Sequence, residues 1–208
     1  MKKTFVLVVL FILPIVAYLF FASGINNFGR LPILTQNVSE LSSFNTSETL
    51  KNKITILGFL GKDVSLKKGN AFNLNQKIYK PFFEFKDFQF VMILPKGTES
   101  EVVALKKELG NLVAIDKWKF VFGEDTEIKT FYSSLKTDIT LDENLGTPYV
   151  FIIDKENNLR GRNKDIDEGT KYGFNTISVA DLNNKMKDDV KIILAEYRMA
   201  LKKNNADR

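Results

Sequence analysis

The chain has 208 residues, of which 44% are apolar and 18 are phenylalanine, enough for one sizeable core and too apolar for wholesale disorder. Its formal charge of +5 comes from mixed charges rather than from a basic stripe interleaved with aromatics, which argues against nucleic acid as a partner. It contains no cysteine and no histidine, so thiolate nucleophiles, disulfides, haem attachment, cysteine-ligated metals and the Ser-His-Asp, Cys-His and HExxH constellations are all excluded.

Lys2 and Lys3 precede an uncharged run at 5–22, FVLVVLFILPIVAYLFFA. As a helix this run rises about 27 Å, near the thickness of a bilayer's hydrocarbon core, and Pro14 is tolerable there. The pattern predicts a cytoplasmic stub and single-pass anchor over 1–23. The two lysines place the rest on the extracytoplasmic or periplasmic side of the inner membrane. A cleaved signal peptide ending at Ala22-Ser23-Gly24 is the rival reading, but signal cores run about 7–15 residues. A lipoprotein is excluded, since no cysteine is present to acylate.

Residues 24–52 are rich in Asn, Ser and Thr, with scattered Leu31, Ile33 and Leu34, and read as a polar tether. The domain proper, 53–208, opens with KITILGFL at 53–60, a buried strand bounded by Gly61. A helix within 70–85 has Phe72, Leu74, Ile78 and Tyr79 apolar, and Pro81 should end or kink it. FQFVMIL at 88–94 is a second central strand, closed by Pro95 and Gly97. Thr98-Glu99-Ser100-Glu101 reads as a capping box. The helix it opens turns Val102, Leu105 and Leu109 inward and has Gly110 as its cap.

WKFVFG at 118–123 is a third strand. Ile128, Phe131, Tyr132 and Leu135 then follow helical spacing. YVFII at 149–153 and a strand at 159–162 form a hairpin with Asn157 and Asn158 at the turn. After a polar loop, a long helix starts at Ser178, with Asp181 completing a second capping box. Its stripe of Val179, Leu182, Met186, Val190, Ile193, Tyr197 and Leu201 has a period of about 3.67. Its end, Tyr197 to Lys203, projects beyond what a small domain must cover and is available for docking. The class is α/β, a mixed sheet flanked by helices, without internal repeats.

This order of elements resembles that of thioredoxin-like domains. Gly146-Thr147-Pro148, directly before an apolar strand, is similar to the loop in which thioredoxins hold a cis-proline against the active site. IIDKENNLRGR at 152–162 resembles the hairpin L-I-D-x-x-G-x-L-R-G-R of the Sco/SenC family, membrane-anchored proteins that help deliver copper to cytochrome oxidase. Phe59-Leu60-Gly61-Lys62-Asp63-Val64-Ser65 falls where that family carries a strand followed by C-P-D-V-C, and keeps its Asp-Val pair. The resemblance covers residues 31–203.

That resemblance implies a site of two cysteines and a distal histidine. Here those positions fall on Gly61, Ser65 and the neighbourhood of Gly146, and neither thiolate nor imidazole, the groups copper prefers, exists in the chain. The resemblance therefore implies a degenerate member with no cofactor, no metal and no catalytic residue. Its vestigial site comprises Gly61, Lys62, Asp63, Val64, Ser65, Gly146, Thr147 and Pro148. The implied role is protein–protein contact in assembly of a respiratory oxidase. A metal carrier using Met and carboxylate ligands, or an unrelated enzyme on this scaffold using Tyr or a carboxylate, are the alternatives.

Other residues invite chemistry. Lys62, Lys67 and Lys68 sit at the expected amino end of a helix, where cations oppose the macrodipole and an anion or a partner's carboxylate would relieve them. Met92, Met186 and Met199 are soft donors, though the first two sit at core positions. Asp165, Asp167 and Glu168 before Gly169 are a fragment of a calcium loop without the remaining ligands. Ser65, Ser133 and Ser134 lack the context of a Ser–Lys nucleophile. Gly58-Phe59-Leu60-Gly61-Lys62 has the wrong glycine spacing for a phosphate loop.

Overall fold

Two strands dominate the fold because their side chains leave them no exposed face. A computed structural model describes residues 2–22 and 29–206. In chain order it contains α1 (Lys2–Ala22), β1 (Ile33–Thr35), a 3-10 turn (Leu41–Phe44), β2 (Ile54–Leu60) and α2 (Lys68–Leu74). A π-turn (Asn75–Tyr79), α3 (Lys80–Phe82), β3 (Phe88–Pro95), α4 (Glu99–Gly110), β4 (Trp118–Gly123) and α5 (Asp125–Ser133) follow. The chain closes with β5 (Gly146–Ile153), β6 (Leu159–Arg160), β7 (Arg162–Asp165), β8 (Gly169–Lys171) and β9 (Phe174–Asn175). Then come α6 (Val179–Asp181), a second π-turn (Leu182–Met186) and α7 (Lys187–Ala206).

The main sheet runs β1-β6-β5-β2-β3-β4, with β9 added to β5. β2, β3 and β4 are parallel, while β5 and β6 return antiparallel. Every residue of β2 and β3 is buried, as strands covered on both faces require. Ile54, Ile56, Phe88, Phe90 and Met92 pack with α2, α4 and the last helix. Leu57, Phe59, Val91 and Ile93 pack on the other face against Ile128 and Phe131 of α5 and against Leu41, Phe44 and Leu50. Two apolar layers thus hold one mixed sheet between helices.

Several local expectations are corrected. The stretch read as a tether is, over 31–50, part of the domain. Leu31, Val38, Leu41, Phe44 and Leu50 are buried, and β1 extends the sheet beside β6. Pro81 disturbs its helix and the helix ends one residue later, at Phe82. The ladder widens into a π-turn immediately before the proline, where the missing N–H costs a bond. No capping box forms at Thr98, because its hydroxyl donates to Pro95 O (2.8 Å) while Glu99 accepts the Gly97 N–H. Gly110 is the last residue of α4 and not its cap, and Asn111 follows in right-handed conformation.

The polar loop after the hairpin contains a two-stranded arm, β7–β8, and β9. Ser178 caps its helix by accepting the Asp181 N–H (3.1 Å), but Asp181 turns to the Asn175 N–H instead of completing the box. Leu182, Met186, Val190 and Ile193 are fully buried as the stripe predicts, whereas Val179 is exposed. Tyr197 is half-buried and its hydroxyl contacts Glu156. Ser23 and Gly24, and the side chains of Leu201 and Lys203, lie outside the described residues.

Among the described residues no helix is long and apolar enough to cross a membrane.

Arg160 ties three segments together. It is buried, donates from Nε to Leu31 O (2.7 Å), and pairs with Asp154 (3.0 Å) on the hairpin turn and Glu196 (2.7 Å) on α7. Removing one member of a buried charged set strands the others, at a cost of about 3–5 kcal/mol. Arg160→Ala should lower the unfolding free energy by about that amount in urea titration. Lys62→Ala, which removes half-exposed Lys62 from its pair with Asp125, should change it by less than about 1 kcal/mol.

Candidate functional site

The sequence places its candidate site at two chain segments 81 residues apart, and strand pairing brings them together. β2 ends at Leu60, which lies opposite Gly146 at the start of β5. The next residue, Gly61, has φ +73°, the left-handed region that glycine adopts at least cost. A Cβ at Gly61 would lie 2.7 Å from Asn144 O and 2.8 Å from Gly146 N, both backbone atoms. The Lys62 N–H donates to Asn144 O (2.8 Å), and Asn144 Nδ2 donates to Asp63 (2.6 Å). Val64 points into the core and Ser65 is exposed.

Gly146 is covered in turn. A Cβ there would meet Lys67 Cε at 2.6 Å, so the lysine stem lies across the glycine. Its Nζ reaches Asp142 Oδ2 (2.8 Å), while Asp142 Oδ1 accepts the N–H groups of Gly146 (2.8 Å) and Asn144 (3.0 Å). Burial works against ionisation of Asp142, but the Lys67 hydrogen bond, the two backbone donors and the lysine's charge outweigh it and hold the carboxyl below its ordinary value. The pocket is closed by its own side chains.

The three lysines do not wait for an outside anion. Lys62 pairs with Asp125 (2.7 Å), Lys67 with Asp142 (2.8 Å) and Lys68 with Glu108 (2.5 Å), so the chain supplies the counter-charges itself. Pro148 departs from the expected cis-proline loop. The peptide bonds of the described residues are all trans, and Gly146-Thr147-Pro148 is strand, with Tyr149 and Val150 paired to β9. Pro148 O accepts both the Thr176 N–H (2.9 Å) and the Thr176 hydroxyl (2.6 Å), which pins it as an ordinary extended residue.

The donor set does not fit copper. Gly61 and Gly146 bring no side chain, and Ser65 offers a hydroxyl where a thiolate would serve. Met92 approaches from the core, its Sδ 2.7 Å from where a Gly58 Cβ would be, but it is buried among Leu74, Val150 and Ala71. Met186 is core and Met199 half-buried on α7. Among the described residues no group of three or more carboxylates or other His/Cys/Asp/Glu ligands could hold a metal.

Asp165 is spent on a turn, accepting the N–H groups of Asp167 and Glu168 and pairing with Lys185. Ser133 and Ser134 donate to carbonyls of their own helix. Asp142 and Asn144, which organise the site, carry no motif. Their only sequence signal is the turn-forming run Asp-Glu-Asn-Leu-Gly.

No protein-family model matches the chain, and no curated protein matches it. Solved structures do match. BsSco, described as a member of the Sco family of cytochrome c oxidase assembly proteins with a disulfide switch, is 13% identical over 79% of this chain and 97% of its own, with a TM-score of 0.50. The soluble domain of Sco1 from Bacillus subtilis is 12% identical over 80% and 98%, at 0.45. A thiol:disulfide interchange protein of the thioredoxin family from Chlorobium tepidum TLS is 20% identical over 80% and 98%, at 0.46. The likeness to BsSco shows the fold alone: the domain is thioredoxin-like, with a mixed sheet and flanking helices.

Two outcomes test the site. Gly61→Cys should destabilise by about 2 kcal/mol or more, through both its φ and the backbone it would strike, while the exposed Ser65→Cys should cost less than about 0.5 kcal/mol; chemical denaturation reads both. Asp142, its folded pKa lowered, contributes stability above about pH 4 that is lost as pH falls through the folded value. Asp142→Asn should therefore flatten the acid limb of the stability profile.

Proposed function

We propose that this protein is a membrane-tethered, non-catalytic relative of the Sco proteins that acts by protein contact during assembly of a respiratory oxidase, on the extracytoplasmic side of the membrane. One observation carries the reading. Where the fold would set a thiol pair against a distal ligand, this chain has Gly61, Ser65 and Gly146, with Gly61 against the backbone of Asn144 and Gly146 and the Lys67–Asp142 pair closed over Gly146. A pocket without a nucleophile, and without room for one at Gly61, retains a shape for others to recognise and no thiol chemistry.

The oxidase setting is an analogy, drawn from the family that BsSco represents and from the Asp63-Val64 and Leu159–Arg160–Gly161–Arg162 sequences. The tether is α1. Its large apolar side chains between Val6 and Leu19 are exposed around the whole helix, a pattern that suits lipid and not water. Lys2 and Lys3 set its direction.

Isolation of the tagged full chain from detergent-solubilised membranes tests the reading. The chain should stay in the membrane fraction through carbonate washing and co-purify with an oxidase subunit or assembly factor. The purified protein should neither reduce insulin nor bind cuprous ion stoichiometrically. Nanomolar copper binding or turnover of dithiols would end the non-catalytic reading. Recovery without any oxidase component would end the respiratory one.

A further inference from the structure

We propose that the β7–β8 arm is the surface with which this protein engages its partner, and that the partner presents an apolar socket rimmed by lysine or arginine. This rests on the contact role proposed above. Residues 161–171 belong to neither apolar core. Charge holds the arm instead. Lys171 Nζ meets Glu168 (2.5 Å) and Asp181 (3.1 Å), and Lys185 Nζ meets Asp165 (2.7 Å) and Asp167 (2.6 Å). Arg162 grips Asp189 through Nε and Nη2, each at 2.8 Å. Asp165 Oδ1 fixes the turn through two backbone N–H groups.

A turn held this firmly presents its apex residue in one place. That residue is Ile166, 99% exposed. Burying an isoleucine is worth about 1.5–3 kcal/mol, a gain the free protein leaves for a partner to collect. The charges are sorted by depth: Lys171 and Lys185 are 0% and 20% exposed, Glu168 and Asp167 45% and 71%. The outward partner of each pair beside Ile166 is therefore a carboxylate, on a chain of net charge +5, and the arm's exposed cation, Lys164, lies two residues before Ile166 on β7.

Hollows of about 480 and 380 Å³ flank the arm, sharing Tyr149 and Glu168 in their walls, and exposed Ile177 and Val179 bracket the second at Ser178. An apolar anchor with a charged rim is how interface energy concentrates.

Site-specific photocrosslinking in the full chain, in its own membranes, tests this. A benzoylphenylalanine replaces Thr170 near the arm tip or, separately, Leu66 on the loop after β2. The probe at 170 should link to a protein whose linked peptide carries Lys or Arg beside apolar residues. Ile166→Ser should cut the yield about tenfold, as loss of a hot-spot residue does. Asp167→Asn with Glu168→Gln should cut it severalfold and weaken its salt dependence, with hydrogen exchange confirming the arm in place. Val103→Ser, on the distant α4 surface, should leave it unchanged. An undiminished yield in Ile166→Ser, a linked peptide without cations, or a lipid adduct overturns the proposal. Links from 66 without links from 170 overturn the arm and leave the contact role standing, and silence at both positions removes both.

Discussion

The loop end of the domain depends on a backbone approach that a Cβ would obstruct. Gly61 leaves β2 with positive φ and lies against the carbonyl of Asn144 and the amide of Gly146, so that the ends of β2 and β5 meet with nothing between them. The Lys62 amide, the Asn144 side chain and the Asp142 carboxylate are then placed to complete the closure. Lys67 lies across the remaining glycine and is neutralised where it lands. A side chain at either glycine would require this arrangement to be rebuilt, so the closed state belongs to the backbone and its immediate ion pair together.

This arrangement leaves neither glycine room for a longer side chain. At Gly61 a Cβ would strike the backbone of Asn144 and Gly146, and at Gly146 the Lys67 stem fills the space. The loop has settled around its present residues, with three lysines each matched to a carboxylate from a different element. Asp125 comes from α5, Glu108 from α4 and Asp142 from the loop before β5.

How much of this could be read from the sequence follows from how the signals are generated. β2 and β3 were legible because strands buried on both faces must be continuously apolar, and the last helix because four consecutive stripe residues are fully buried. The segment 31–50 was not legible. Its buried residues, Leu31, Val38, Leu41, Phe44 and Leu50, follow neither a period of 2 nor one of 3.6, and Glu40, which gathers the amides of Leu41, Leu50 and Lys51, looks like any surface acid. Thr98 matched a capping box by residue type alone, and a nearer carbonyl took its hydroxyl. The two positions the resemblance joined, Gly61 and Gly146, do meet. What seals them, Lys67 on Asp142, is a pairing across 75 residues that no local pattern encodes.

The seating of β1 against β6 sets the reach of the domain from its amino-terminal helix. Were the chain free from 24 to 52, the 31 residues between Ala22 and Ile54 could pay out more than about 100 Å of leash. With Ile33 already paired at the sheet edge, 10 residues separate it from Ala22, at most about 40 Å when fully extended. The domain is then moored close to the point where α1 ends, and a pull on that mooring would load β1 and the Arg160 bond to Leu31 before it reached the core.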